Sequence, residues 1–348
     1  MPDLNVLMKS HILPLRVTEV YDSYWRFAAE RQEIFFRRLN NEPSPWTDDA
    51  ILATYKFTNA YRASDRVSQY LIRQVIYGSE FSQDPEEVFF RIMLFKLFNR
   101  IQTWEALRST LGEITAEDFN FDRYDRLLAE IKSSGMPIYS AAYIMPSPGR
   151  SRSKHRNHLR LLSQMLADSV PLRLRDCRSM QQAFELLKSY SGIGDFLAYQ
   201  YVTDLNYSEL TNFSESEFVV PGPGALDGIR KCFADLGGLN EPEIIKFMAD
   251  RQEAEFKRLG LHFRSIWGRR LQLIDCQNLF CEVDKYARER HPLVVGRSRR
   301  LRIKQKLRPQ PTLPTPWYPP KWGLNESITV WNNKIEQHFP RRGGQQWT

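Results

Sequence analysis

Cysteine, histidine and long apolar runs are scarce in this chain of 348 residues, which has four cysteines and six histidines. None of the cysteines forms a CxxC pair or a Cys/His cluster with zinc-ligand spacing, so we expect reduced thiols, no metal site and no cofactor. No stretch approaches the roughly 18–20 apolar residues of a membrane span, and the N-terminus lacks the apolar core of a signal peptide. These absences predict a cytoplasmic protein that is neither secreted nor bound to a membrane.

Signature motifs of several enzyme classes are missing as well. The sequence contains no GxxxxGK[ST], no GxSxG, no HExxH and no set of protein-kinase signatures. A P-loop nucleotide kinase is therefore excluded, together with the hydrolase and zinc-protease classes that these motifs mark. Any catalysis must rest on carboxylates, amides and basic groups.

Positive charge and aromatic side chains are plentiful. The formal net charge is +8, and 21 Phe, 15 Tyr and 8 Trp supply large apolar surfaces and possible stacking platforms. A basic balance favours a polyanionic partner such as nucleic acid, although by itself it describes surface character alone.

Helical periodicity dominates the chain, and strand-like alternation is rare. We expect a mainly α, multi-helix domain over residues 1–290, followed at 291–348 by a basic extension rich in proline and aromatics that lies over the body or stays mobile. Residues 86–101 are apolar nearly all round, as in a helix at the centre of a bundle. The other expected helices are 17–39, 51–77, 123–134, 157–168, 180–189, 195–206, 223–236, 241–259 and 264–290.

The stretch YSGIGDFLAYQYVTDL (190–205) places two glycines between two apolar helices. Gly192-Ile193-Gly194, with Ala198 four positions after the second glycine, has the spacing of a helix–hairpin–helix near 184–206. In that motif Ile193 plugs between the helices, and the amides opening the second helix can hold a DNA phosphate. The alternative is a purely structural turn, since glycine ends helices routinely and Asp195 is unfavourable beside a phosphate.

Two basic segments strengthen the DNA-binding interpretation. Residues 146–160, which we expect to form a loop, carry Arg150, Arg152, Lys154 and Arg156, and residues 297–308 are also strongly basic. Such groups bind phosphates and position a duplex without reading its sequence.

Asp275, Asn278 and Glu282 fall on one stripe of an otherwise packing helix. A polar stripe of this kind could line a site as a general base or amine-binding group. The alternative is a solvated face, or a buried pairing with Arg62 or Arg66.

The turn VVPGPGALDGIRKCF (219–233) is a second candidate. Gly222 and Gly224 permit close approach of the backbone to a ligand, and the helix starting at Ala225 would direct amides toward it. Asp227 is either a functional carboxylate or an ordinary acid complementing the helix dipole.

Several segments together resemble a known family. They are YWRFAAERQEIFFRR (24–38), PWTDDAILATYKFTNAYRASDRVSQYLI (45–72), VFFRIMLFKLFNRIQTW (88–104), SGIGDFLAYQYVTDLNYS (191–208), VVPGPGALDGIRK (219–231) and LIDCQNLFCEVDKY (273–286). The chain resembles the helical domain of 5-hydroxymethyl-deoxyuridine (5-hmdU) DNA kinases and the related alpha-glutamyl/putrescinyl thymine pyrophosphorylases, regarded as amino acid:DNA transferases. The family is distantly similar to helix–hairpin–helix DNA glycosylases.

The resemblance implies a role in thymine hypermodification, typically of bacteriophage DNA and serving restriction evasion, within the host cytoplasm if the source is viral. It implies double-stranded DNA with a modified thymine, a small amine or amino-acid co-substrate, and a separate P-loop 5-hmdU DNA kinase as partners. On this view the enzyme transfers an amino acid or amine onto a phosphorylated 5-hydroxymethyluracil base. Asp275 and Glu282 are hypothesised to handle the amine, and the leaving group or base would be held by a set comprising Asn59, Arg62, Arg66, Gly222, Gly224 and Asn278.

Two other functions stay open at this point. One is a glycosylase that excises modified pyrimidines, with Asp227 stabilising the cationic sugar. The other is a non-catalytic DNA-binding domain that works with a separate kinase.

Overall fold

A computed structural model describes residues 14–78, 80–141, 145–147, 149, 151–308 and 313–338. The described chain is mainly helical, which confirms the expected fold class. In chain order the helices are α1 (Glu19–Leu39), α2 (Ala50–Thr54), α3 (Arg66–Tyr70), α4 (Pro85–Phe98), α5 (Ile101–Leu111), α6 (Phe121–Ser133), α7 (Lys154–Ala167), α8 (Val170–Asp176), α9 (Met180–Lys188), α10 (Asp195–Leu205), α11 (Pro223–Cys232), α12 (Glu241–Arg258), α13 (Leu273–Arg290) and α14 (Asn325–His338). Two short strands, β1 (Arg16–Val17) and β2 (Phe233–Asp235), pair antiparallel.

The described chain divides into two compact units. Unit 1 comprises residues 14–64, 215–308, 313–315 and 330–338, and unit 2 comprises the segments from 65 to 214 together with 316–329. This division differs from the expected boundary near residue 290, because the segment after 291 contributes to both units.

Unit 1 is organised around helix α13, which packs against α11 and α1. The approach of α11 to α13 requires glycine, since a Cβ atom on Gly228 would overlap the carbonyl oxygen of Phe280. The two other long helices of unit 1, α1 and α12, begin at side-chain caps. The Thr18 hydroxyl accepts from the amide of Val20 at the start of α1. Asn240 and Glu243 form a capping box at the start of α12.

Unit 2 is built on α4, whose residues Val88–Leu97 are all buried. Proline at its first turn favours the start of the helix, and Asn99 in the left-handed conformation ends it. Two charged side chains inside this helix find buried partners. Arg91 donates to the carbonyl oxygen of Val75 (3.0 Å), and Lys96 pairs with Asp204 of α10 (3.0 Å).

The prediction of one long helix at 51–77 is wrong. The chain leaves α2 at Tyr55 in an extended conformation, makes a 3-10 turn at Arg62–Ser64, and continues through α3 into a π-helix at Leu71–Ile76. The amides of Thr58 and Arg62 donate to carboxylates of α13 rather than to carbonyls four residues earlier. Tertiary contacts therefore replace the local helical bonds.

Other boundaries differ because local pattern does not show tertiary partners. The second half of the segment expected as a loop at 146–160 is helical, because α7 begins at Lys154. Helix α13 begins at Leu273 rather than 264, α11 ends at Cys232 where β2 takes over, and α5, α8 and α14 were not expected.

Part of the C-terminal extension is packed rather than mobile. Gln69 of α3 pairs through both amide atoms with the backbone of Trp317 (2.9 and 3.1 Å), and Tyr318 is fully buried in unit 2. In unit 1, Lys306 forms an isolated bridge with Tyr55. Among the described helices none is both long and apolar enough to cross a membrane.

Candidate functional site

Helices α9 and α10 pack against each other and are joined by a tight turn at residues 189–194. Gly192 has φ +84°, a conformation that glycine adopts without strain. Ile193 and Ala198 are buried, as expected for a plug and a point of close helix approach. Assignment to the helix–hairpin–helix family stays a prediction.

The tip of this turn faces solvent. Ser191, Gly194 and Asp195 are exposed, and a Cβ atom on Gly194 would meet no other atom within 4 Å. Gly194 is the N-cap of α10 and supplies no side-chain cap to the first amides of the helix. Asp195 is neutralised by Lys188 across the turn (2.8 Å), which reduces its repulsion of an anion.

The basic segment before α7 belongs to the same unit. Arg152 is exposed, Lys154 lies 4.4 Å from the ring centroid of Tyr139, and Arg156 pairs with Asp125 at 2.7 Å. Arg150 lies outside the described residues. Two of the predicted DNA-binding cations thus have intramolecular partners, and Arg152 is the most open of the described three.

His158 links this segment to the turn. A cavity of about 10 Å³, large enough for at most one water, is lined by Pro146 and His158 together with Gly192 and Ile193. Burial lowers the pKa of His158 to about 4, so the ring is neutral at physiological pH. Its Nε2–H therefore donates to the carbonyl oxygen of Pro146 (2.7 Å), and Nδ1 accepts from the hydroxyl of Tyr139 (2.7 Å). The histidine holds the loop against the turn.

The sequence reasoning missed cations on the other flank of the turn. Arg173 and Arg175 of α8 are exposed, and Arg173 interacts with the hydroxyl of Tyr190, the residue that leads into the turn. That hydroxyl also donates to Asp168 (2.9 Å). Burial and the Asp168 contact raise the pKa of Tyr190, while Arg173 lowers it. A cluster of arginines in residues 173–178 was the available signal.

The predicted carboxylate stripe lies in unit 1 and faces the irregular segment 55–64. Asp275 accepts from the amides of Arg62 (2.8 Å) and Gln272 (2.9 Å), and Glu282 accepts from the amide of Thr58 (3.0 Å) and pairs with Lys285 (2.5 Å). Burial raises the pKa of Asp275 to about 6, against the lowering effect of its two amide donors. Both carboxylates thus hold backbone amides in place. Because its pKa is raised, Asp275 titrates close to neutral pH.

The residues of the turn at 222–227 have packing and anchoring contacts within unit 1, and their role at a ligand stays a prediction. Gly224 makes space for Cys281 of α13, because a Cβ atom there would overlap the Cys281 sulfur. Gly222 is buried, and Pro223 removes one of the amides that a phosphate would need. Asp227 is buried and accepts from the amide of Ser298 (3.2 Å), so it anchors the basic segment that follows α13.

The remaining candidates are divided between the units. In unit 1, Asn59 donates to the carbonyl oxygen of Ser64 (2.7 Å), Arg62 is buried, and Asn278 is half-buried. Arg66 is exposed at the start of α3 in unit 2. Within the described ranges, no group of three or more His, Cys, Asp and Glu side chains could hold a metal ion.

Comparison with known proteins gives the family. Residues 18–296 match the family described as "5-hmdU DNA kinase, helical domain". The chain belongs to this family, which confirms the resemblance noted in the sequence. A 5-hmdU DNA kinase of Bacillus phage SP10 is 28% identical over 304 residues, covering 82% of this chain and 47% of that protein. The chain thus spans about half the length of this relative. No solved structure matches the present chain.

Proposed function

We propose that this chain takes part in thymine hypermodification by binding DNA and transferring an amine or amino acid onto phosphorylated 5-hydroxymethyluracil. The observation that carries the proposal is membership of the 5-hmdU DNA kinase helical-domain family over residues 18–296, supported by the similarity to a phage 5-hmdU DNA kinase. These 348 residues contain no P-loop motif, so a P-loop kinase, rather than the helices described here, would supply the phosphorylated base.

The chemistry is a substitution at the C5-methylene carbon of the base. The amine nitrogen forms the new C–N bond, the C–O bond to the phosphoryl group breaks, and the phosphate anion departs with the bonding electrons. A carboxylate takes the proton that the amine loses. The protein must extrude the base, orient the amine and stabilise the departing anion.

The turn of unit 2 would grip the DNA backbone. Its exposed tip, the uncapped start of α10 and the flanking cations Arg152 and Arg173 fit a contact with successive phosphates. These contacts position a duplex and carry no sequence information, which suits an enzyme that recognises a modified base.

Asp275 and Glu282 are the proposed groups for the amine, and Arg62 of the same unit is the proposed group for the leaving group. A carboxyl group whose pKa is raised to about 6 accepts a proton readily near neutral pH, which supports Asp275 as the base. Glu282 is held by the amide of Thr58 and by Lys285, so its orientation is fixed before any substrate binds.

The test uses duplex DNA containing 5-hydroxymethyluracil or its phosphorylated form, incubated with the full chain, with and without amino acids or putrescine. The DNA is then digested to nucleosides, and the nucleoside masses are measured by mass spectrometry. A new amine adduct is the expected result, and Glu282→Gln should abolish it while DNA binding persists. Glu253→Gln, a change at an exposed glutamate on α12, is the matched control and should retain the adduct.

A second candidate is a non-catalytic DNA-binding domain that presents DNA to a kinase. It is favoured by the engagement of Asp227, Asp275 and Glu282 with backbone amides, which gives each carboxylate a structural task. An unchanged nucleoside profile combined with salt-sensitive DNA binding would favour this function over transfer. Loss of the base to leave an abasic site would instead indicate a glycosylase.

A further inference from the structure

An open cavity of about 480 Å³ lies within unit 1, between the start of α1 and helix α12. Such a volume suits a small metabolite rather than a nucleic acid. None of the candidate residues for the DNA or the base lines it. Most of its lining residues come from the stretch 17–22 and from helix α12.

The lining combines an apolar surface with cations held over aromatic rings. Arg251 lies 5.4 Å from the ring centroid of Phe247, and Arg258 lies 5.9 Å from that of Tyr21. Val17 is about half exposed although it is apolar. An aliphatic side chain of a ligand could cover Val17 and Phe247 and so remove apolar area from water.

The rim of the cavity carries charges of both signs, and several of them form ion pairs with one another. Glu255 is 5% exposed and accepts from Arg251 (3.2 Å) and Arg258 (2.7 Å), and Arg258 also pairs with Asp22. Arg251 uses its Nε in this network, and half of its side chain is exposed, so its terminal nitrogens can receive a further carboxylate. Glu19, three residues before Asp22 on α1, is 65% exposed and pairs with His291 at 3.2 Å.

We infer that this cavity binds a free α-amino acid. Its carboxylate would meet the guanidinium of Arg251, its ammonium the carboxylates of Glu19 and Asp22, and its side chain the surface formed by Val17 and Phe247. A lining with three carboxylates and two guanidiniums favours a ligand that carries an ammonium group, and the exposed guanidinium favours one that also carries a carboxylate. This cavity is separate from Asp275 and Glu282, the groups that the proposed function assigns to the amine, so the inference does not rest on that function.

The experiment is calorimetric titration of the full chain, without DNA, with L-leucine, N-acetyl-L-leucine, L-leucinamide and putrescine. Leucine is expected to bind one to one with a Kd of about 1 mM or tighter. Blocking either the ammonium or the carboxylate should weaken binding at least about tenfold, because each removes one charge-assisted contact. Putrescine should bind more weakly than leucine for the same reason.

Arg251→Ala should weaken leucine binding about tenfold or more, and Phe247→Ala should also weaken it. Arg16→Ala is the matched control, because Arg16 neighbours Val17 in β1 but pairs with Asp235 and does not line the cavity. Circular dichroism checks that each variant is folded.

Absence of saturable leucine binding overturns the inference, as does equal binding of the blocked derivatives, tighter binding of putrescine, or an equal effect of Arg16→Ala. Leucine binding without any base modification would refute the proposed transfer and leave the inference standing. Base modification without leucine binding would overturn the inference and leave the proposed transfer standing.

Discussion

Replacing Gly194 by threonine separates DNA binding from folding more cleanly than any other change in the turn. Gly194 has φ −86° and ψ 178°, an extended conformation that threonine adopts without strain, and its missing Cβ points into open space. Threonine is about as good an N-cap as glycine, so we expect the free energy of unfolding to change by no more than a few tenths of a kcal/mol. The new hydroxyl would accept from the first amides of α10, the same donors that a phosphate would use.

The expected loss of DNA affinity follows from the strength of that contact. A hydrogen bond to a charged group contributes about 1.5–3 kcal/mol, which corresponds to about a ten- to hundredfold change in Kd. Gly192→Thr is the contrasting variant. Its φ of +84° is unfavourable for a side chain, so we expect it to lower the free energy of unfolding by about 1–2 kcal/mol or more.

The assay is fluorescence anisotropy with a labelled duplex over a series of salt concentrations, alongside thermal unfolding of each variant. The reasoning predicts that Gly194→Thr keeps its Tm and loses DNA affinity. An affinity within about twofold of the parent protein would refute the proposal that these amides hold a phosphate.

Three further changes test two residues that flank the turn and one carboxylate of unit 1. Asp195→Asn should raise DNA affinity without changing Tm, since it removes a negative charge beside the phosphate, releases Lys188 and breaks only an exposed ion pair; anisotropy that shows weaker binding would contradict this. Arg173→Ala should reduce the slope of log K against log salt by about one, and an unchanged slope would place Arg173 outside the interface. For Asp275, burial raises the folded pKa to about 6 from 3.8, so its contribution to stability is full below pH about 4 and is lost as pH rises through 6. Denaturant unfolding between pH 4 and 7 should show this decline in the parent protein and not in Asp275→Asn.

Helices that carry their own start and stop signals could be predicted from the sequence. The interval 180–189 matches α9 closely because Ser179 caps it and its apolar positions recur at helical spacing. The same holds for α12, which begins with a capping box between Asn240 and Glu243. The exposed glycine turn that follows α9 was also predictable, because the spacing of its residues is local.

Features fixed by distant partners could not be predicted. The carboxylate of Glu282 is 224 residues away from the amide of Thr58 that it accepts from, and this contact breaks the helical pattern at 51–77. Gln69 and Trp317 are 248 residues apart, so the sequence left open whether the proline-rich extension lies over the body or stays mobile. The cavity lined by Tyr21 and Phe247 could not be predicted either, because these residues are distant in the sequence.

The two-unit arrangement has a consequence for synthesis on the ribosome. Helix α1 has a largely apolar face that includes Tyr24, Trp25 and Phe27, and its partner α13 is translated roughly 250 residues later. At about 5–20 residues per second, this surface stays uncovered for roughly ten to fifty seconds. Products that terminate before Arg290 should leave this surface uncovered, so we expect them to aggregate or be degraded rather than accumulate.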